Sequence, residues 1–145
     1  MSDEKLTFQG FMKENAIAKS YIEYAASKRF VDADNQPLVW KLRPLTNKEM
    51  DALTEKNTKR VQIKGTRDFK KELDQVQFMM DMTVKSVVYP NLDDETLQTS
   101  YDAVGAEDLL KEMLTPGELA DLQFAVNEAS DFNVGMNDKI KQAKN

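Results

Sequence analysis

The sequence predicts an α+β fold that is predominantly α, with an N-terminal β-hairpin packed on a bundle of about five helices. Two observations carry this prediction. After Thr46, apolar residues recur at spacings of three and four, which is typical of amphipathic helices. Period-two alternation is confined to one segment, where Leu38, Trp40 and Leu42 mark one face of a half-buried strand.

The length of 145 residues corresponds to a single domain with flanking segments. We expect an N-terminal arm or short helix over residues 1–20, where a short apolar patch lies between charges. One domain then spans residues 21–132 and divides into a hairpin, 21–45, and a helical part, 46–132. Residues 133–145 form a polar C-terminal tail.

The hairpin is predicted from the residues between its two apolar runs. Residues 32–37 are dense in Asp, Asn and Pro, which favour turns. Their acidic spacing is similar to the start of a calcium-binding loop, but Pro37 stands where that loop needs Gly and Arg43 where it needs Glu. A turn is therefore the better interpretation. Pro44 ends the second strand because it cannot donate a ladder hydrogen bond.

Helix starts are the clearest local signals in the remaining sequence. Thr46 and Glu49 fit a capping box, which begins a helix that we expect to end in the basic stretch near Lys64. Acidic residues at 93–95 favour a short helix, and another follows Gly105. Thr115, with Pro and Glu at the first and third helical positions, begins the last helix.

One long periodic series lies between these starts. Apolar residues from Phe69 to Val87 recur at helical spacing, with Val76 and Met80 on the predicted core face, and Pro90 ends the series. We therefore expect one continuous helix between the break at Gly65 and Pro90.

The composition excludes most catalytic chemistry. The chain has no Cys and no His, which removes thiolate nucleophiles, the commonest general base and the usual metal ligands. Its five Gly are too scattered for a phosphate-binding loop. We therefore expect no enzyme activity, no cofactor and no metal site.

No targeting or membrane signal is visible in the sequence. The first residues are acidic and lead into no apolar core, and no uncharged apolar run approaches the ~20 residues of a membrane span. We expect a cytoplasmic protein without a membrane partner.

Charge is distributed unevenly along the chain. Residues 41–71 contain ten basic and four acidic residues, whereas residues 91–138 contain twelve acidic and one basic. Two interpretations stay open: solvated helix faces, or opposite charges that set the register of self-association or of a partner. The basic stretch 56–71 also supports a nucleic-acid-associated regulator, although it lacks interleaved aromatic residues and the acidic half disfavours phosphate binding.

The Met-rich segment 78–82 is the candidate binding site. At 100° per residue, Phe78 and Met82 fall opposite the predicted core face and adjacent to each other. Burial against another element of the domain is one interpretation. The other is an adaptable partner-binding surface, because Met repacks around varied apolar shapes.

Several fragments resemble one family in order and spacing. The quoted stretches are Ser27-Lys28-Arg29-Phe30; Gln36-Pro37-Leu38-Val39-Trp40-Lys41-Leu42-Arg43-Pro44-Leu45-Thr46 with Glu49; Ser86-Val87-Val88-Tyr89-Pro90-Asn91-Leu92; Leu97-Gln98-Thr99-Ser100-Tyr101; Gly105-Ala106-Glu107-Asp108-Leu109-Leu110; Met113-Leu114-Thr115-Pro116-Gly117-Glu118-Leu119; and Ala143-Lys144-Asn145. Together they resemble the XkdN-like tail assembly chaperones of phages and prophages of Gram-positive bacteria. One departure is Asp102, where the family pattern leads us to expect Gly.

The resemblance implies a non-catalytic role in virion morphogenesis. Chaperones of this kind bind the long, helical tape measure protein, keep it soluble and yield to polymerising tail tube subunits. The family supplies no catalytic residues. The alternative of a phage or prophage regulator that uses residues 56–71 rests on charge alone.

Overall fold

The computed structural model describes residues 3–131, so the predicted tail lies outside the described residues. Over this range the chain forms a mixed fold of six helices and two small antiparallel sheets. The helices are α1 (Asp3–Gly10), α2 (Asn47–Lys56), α3 (Gln75–Ser86), α4 (Glu95–Ser100), α5 (Ala106–Met113) and α6 (Pro116–Ala129). The strands are β1 (Ile22–Tyr24), β2 (Trp40–Leu42), β3 (Thr58–Gln62), β4 (Phe69–Leu73) and β5 (Val87–Tyr89).

The first sheet contains the predicted hairpin strands and one strand that was not predicted. β2 lies in the middle, with β1 and β5 antiparallel on either side. Trp40 and Leu42 are buried and Lys41 is exposed, as the alternation predicts. Leu38, predicted on the same face, lies before β2 and is 41% exposed, so the strand is shorter than the alternation indicates. Asp32 Oδ1 accepts hydrogen bonds from the backbone N–H groups of Asp34 and Gln36, so the acidic spacing builds a turn.

The second sheet, β3 with β4, corrects two helix predictions. α2 ends at Lys56, well before Lys64, and residues 69–73 are a strand, not the start of a helix. Gly65, with φ +81°, lies between the two strands where the sequence predicted a break. The periodicity missed this hairpin because residues 59–72 are all exposed and bury no apolar face that would impose a pattern.

Helix α3 is the central helix and packs against α2, α5 and α6. Met80, Thr83 and Ser86 are buried, whereas Val76 is 83% exposed, so its predicted place on the core face is wrong. A helix with neighbours on several sides is buried over a wide arc, and a single apolar stripe does not define its orientation.

The four predicted helix starts are confirmed. Thr46 and Thr115 each form a complete capping box with the Glu three residues later, and Asp94 accepts from the backbone N–H of Leu97. Each of these caps satisfies backbone donors that the helix itself leaves free. α5 begins at Ala106, directly after Gly105.

Strand β2 is joined to the helices at Arg43. Its backbone N–H donates to the Ser86 carbonyl at 2.8 Å, and the Ser86 hydroxyl donates to the Arg43 carbonyl at 2.7 Å. The Arg43 guanidinium also forms a bidentate pair with Glu49 at 2.9 and 2.6 Å. These bonds fix the end of α3 and the start of α2 against the same strand.

A second polar contact joins α2 to α3. Buried Asn57 donates to Asp81 Oδ2 at 3.0 Å, and Gln77 donates to Asp81 Oδ1 at 2.9 Å. Burial raises the pKa of Asp81, but hydrogen bonds from Asn57, Gln77 and Lys56 outweigh it, and the pKa is lowered.

The first twenty residues include α1 and a group of exposed apolar side chains. Phe8, Phe11 and Ile17 are all exposed. Lys19 forms an ion pair with Asp131 just after α6. Among the described helices, none is both long and apolar enough to cross a lipid bilayer.

We expect the Arg43–Glu49 pair to make stability depend on pH. The hydrogen bonds from the Arg43 guanidinium lower the pKa of Glu49 from its ordinary 4.5 to about 2. The ionised Glu49 carboxylate therefore adds to the free energy of unfolding above pH 4.5, and this stabilisation is lost as the pH falls toward 2. Glu49→Gln should lower the free energy of unfolding at pH 7 by about 1–2 kcal/mol, since the pair is partly solvent-screened.

Urea unfolding at pH 7 and pH 3 measures this effect. Glu55→Gln, on the same helix but exposed and without an ion pair among the described residues, is the matched control. The difference between wild type and Glu49→Gln should shrink at the lower pH, whereas the control should match wild type at both. If the stability difference between wild type and Glu49→Gln is the same at both pH values, the lowered pKa of Glu49 is contradicted.

Candidate functional site

An apolar groove lies beside the three-stranded sheet. Its volume is about 180 Å³, and its walls come from the segment before β2, the end of β5 and helices α4 and α5. The lining residues are Phe30, Leu38, Val39, Trp40, Tyr89, Pro90, Leu97, Tyr101 and Met113. We call this the apolar groove.

The apolar groove has a buried floor and an exposed rim. Trp40 and Met113 are at most 4% exposed and belong to the core. Leu38 and Val39 are 41% and 42% exposed, and Tyr89 is 55% exposed. Apolar side chains thus reach the surface over a rigid base, and any apolar group that covers them gains burial without reorganising the core.

Phe30 is held in the groove by its neighbour. The Arg29 guanidinium donates to the Met113 carbonyl and to Glu118 Oε1, which anchors this segment to α5 and α6. The Phe30 ring then lies 6.4 Å from that of Trp40, centroid to centroid. Hydrogen bonds from Ser27, the Thr115 backbone and Arg29 lower the pKa of Glu118 to about 2, so the anchor stays charged near neutral pH.

A turn follows the groove residue Tyr101 at the end of α4. Asp102, the departure from the family pattern, has φ +52°. Gly adopts this left-handed region without steric cost, and Asp is among the residues that tolerate it. Asp at this position is therefore compatible with the turn that Gly would form.

Strand β5 gives the groove a second binding element. β5 is an edge strand, because among the described strands it pairs only with β2. Val88 and Tyr89 are exposed along it. An edge strand beside apolar side chains can bind either an extended segment or the apolar face of a helix.

The basic stretch predicted from the sequence lies mostly on the second hairpin. We call residues 58–73 the basic ribbon. Together with α2 it encloses an open cavity of about 580 Å³, and the Arg60 guanidinium lies 4.4 Å from the centre of the Phe69 ring. The cavity carries charges of both signs, because Asp51 and Glu55 line its α2 side.

The structure does not place Phe78 and Met82 on an exposed surface. Met82 is 1% exposed, and Phe78 is partly buried against the same core. The expectation that they face away from the core is wrong because α3 is covered on several sides. Partner binding by these two residues stays a prediction that would require α3 to leave its neighbours.

The apolar groove was missed because its residues are far apart in the sequence. Leu38, Val39 and Tyr89 meet only when β2 pairs with β5. One local signal was available: Leu38 and Val39 are adjacent apolar residues just before the alternating residues of β2, so an alternating pattern cannot bury both of them.

Large apolar side chains that are exposed together around a buried floor are typical of a protein-binding surface. Within residues 3–131, no group of three or more acidic side chains is arranged to hold a metal ion.

Comparisons with known proteins give the family. The family model described as phage XkdN-like tail assembly chaperone protein matches residues 8–144. The chain is 29% identical over 136 residues to the phage-like element PBSX protein XkdN of Bacillus subtilis (strain 168), covering 93% of this chain and 91% of that protein. It is 30% identical, with the same coverage, to the uncharacterized protein YqbN of the same strain.

A solved structure agrees with the fold. The crystal structure of the protein yqbn superposes with a TM-score of 0.72 at 26% identity, covering 86% of this chain and 95% of that one. The chain belongs to the XkdN-like phage tail assembly chaperone family, as the motif resemblance indicated.

Truncating Met82 should test its place in the core. Met82→Ala is expected to lower the free energy of unfolding by about 2–5 kcal/mol, because it leaves a cavity that the packed helices cannot fill. Val76→Ala on the same helix, at an exposed position, should change it by less than about 0.5 kcal/mol. The free energy of unfolding is measured with urea. Equal, small effects of both changes on it would show that Met82 is not part of the core.

Proposed function

We propose that this protein binds the tape measure protein of its phage or prophage and keeps it soluble while the tail tube polymerises around it. The activity is non-catalytic protein binding in the host cytoplasm. Membership of the chaperone family supports the general role. The observation that carries the proposal is the apolar groove, whose rim exposes large apolar side chains next to an unpaired strand edge.

The size of the groove favours a protein partner. Its volume of about 180 Å³ is below the roughly 300–1,000 Å³ of most small-molecule sites, but it can accept a few side chains from one face of a helix. Burying one large side chain contributes about 1.5–3 kcal/mol. Two or three such contacts, less the cost of association, give weak binding by each chaperone copy.

Weak binding at each site fits a partner that must later be released. A long helical protein offers many similar apolar segments, so several copies can cover it together. Tail tube subunits that compete for the same segments can then displace the copies one at a time. Tight binding by each copy would prevent this exchange.

The nucleic-acid alternative depends on the basic stretch 56–71. In its favour, the cations of the basic ribbon have no ion pair within residues 3–131. Against it, Phe69 is the ribbon's one aromatic residue and lies under Arg60, so few rings are free for base stacking. Retention on nucleic acid that weakens steeply with salt would support this alternative over the chaperone proposal.

Co-expression with the tape measure protein tests the proposed function. The wild-type chain should raise the soluble yield of its partner. Val39→Asp should weaken the complex by about tenfold or more, because it places a carboxylate among apolar side chains that become buried on binding. Pull-down at several chain concentrations measures the change.

The matched control is Val76→Asp, which adds the same charge at an exposed site outside the groove. It should leave binding unchanged. Equal binding by wild type and Val39→Asp would place the partner elsewhere on the chain. No effect of the wild type on the partner's solubility would contradict the function itself.

A further inference from the structure

The basic ribbon buries almost nothing on its own chain. Residues 59–72 are all exposed, and β3 and β4 form a sheet only with each other. Its base is closed by the backbone hydrogen bond from Asp74 to Asn57. A two-stranded hairpin without cover is marginally stable in water, so this element is suited to packing against another surface.

Charge on the ribbon is concentrated and predominantly positive. Residues 58–73 contain six basic and two acidic residues. None of the six cations has an ion-pair partner within residues 3–131. Arg60 and Lys71 are directly opposite each other in the register, which is unfavourable in an isolated hairpin. Contact with an acidic surface would offset the repulsion between Arg60 and Lys71.

Apolar side chains accompany these charges. Val61, Ile63 and Phe69 are each between 36% and 49% exposed. The ribbon therefore fits a partner surface that combines carboxylates with an exposed apolar group.

Such a surface is formed by α5 and the residue two positions before it. Asp108 and Glu112 lie one turn apart on α5, and Asp108 Oδ2 accepts a hydrogen bond from the backbone N–H of Val104 at 2.9 Å. Val104 is 88% exposed, and Glu112 is exposed with no ion pair among the described residues. We call these three residues the acidic face. Residues 91–131 as a whole contain eleven acidic residues and one basic residue.

Within the described residues, no ion pair links the ribbon to the acidic face of its own chain. Every ion pair of the described residues joins other groups, and none connects the ribbon to residues 91–131. Two complementary surfaces that are both unpaired on one chain can pair between two chains.

We propose that the basic ribbon of one copy docks on the acidic face of a second copy. The two surfaces differ, so the contact is head-to-tail, and each pair of copies leaves one ribbon and one acidic face free for further copies. This self-association is separate from tape measure binding, which uses the apolar groove. It would set the spacing of successive chaperones along a long partner.

Salt dependence is the first test. Sedimentation of the wild type should show an average mass above 16.6 kDa that rises with protein concentration at low salt. Increasing the salt from about 0.02 M to about 0.5 M should return it to the monomer, because these exposed charges are then screened. A monomer at low salt and high concentration would overturn the proposal.

Charge reversal then identifies the two surfaces. Arg60→Glu with Lys71→Glu alters the ribbon. Asp108→Asn with Glu112→Lys alters the acidic face, and the amide oxygen introduced by the first of these changes can still accept from the Val104 N–H. Each double variant should be monomeric alone. Mixed in equal amounts, they should form a complex of twice the monomer mass and nothing larger, because one intact surface remains on each.

The mixture also controls for misfolding, since both variants must be folded to pair. Lys28→Glu with Lys48→Glu makes the same charge change as the ribbon variant, at exposed cations without ion pairs in the described part of the chain, and should associate as the wild type does. Association of either surface variant alone, or failure of the mixture to pair, would overturn the proposal. Salt-sensitive retention of nucleic acid by the ribbon in preference to self-association would also overturn it.

Discussion

The hydrogen-bonded pairing between Arg43 and Ser86 holds the sheet and two helices in place. α3 passes into β5 at Ser86 without a loop, so the two hydrogen bonds at this residue fix both a helix end and a strand register. The bidentate contact from Arg43 to Glu49 adds the start of α2 to the same point. The position of Tyr89 beside β2, and hence the apolar groove, follows from this junction.

Central placement of α3 explains why the Met-rich segment belongs to the core. Met80 and Met82 are buried in the core, where a flexible, unbranched side chain adapts to irregular gaps. The adaptable property that suggested a binding surface serves internal packing here. The apolar residues that reach the surface lie instead at the rim of the sheet, where strands from distant parts of the sequence meet.

The proposed function assigns different tasks to different surfaces. A chaperone for a long polypeptide needs apolar contacts that are weak enough to exchange and charges that keep the covered partner in solution. In the proposal, the apolar groove supplies the first feature. The ribbon and the acidic helices carry strong charge of opposite sign on separate elements, which limits their pairing within one chain.

Features that depend on near neighbours could be predicted from the order of residues alone. Both capping boxes, the turn at Asp32 and the buried alternation of Trp40 and Leu42 follow from residues within a few positions of each other. Three further features emerged only from the packing of the whole chain: the buried face of α3, the third strand at residues 87–89 and the place where the groove opens. Burial is a property of distant segments brought together, whereas a cap or a turn is complete within its own few residues.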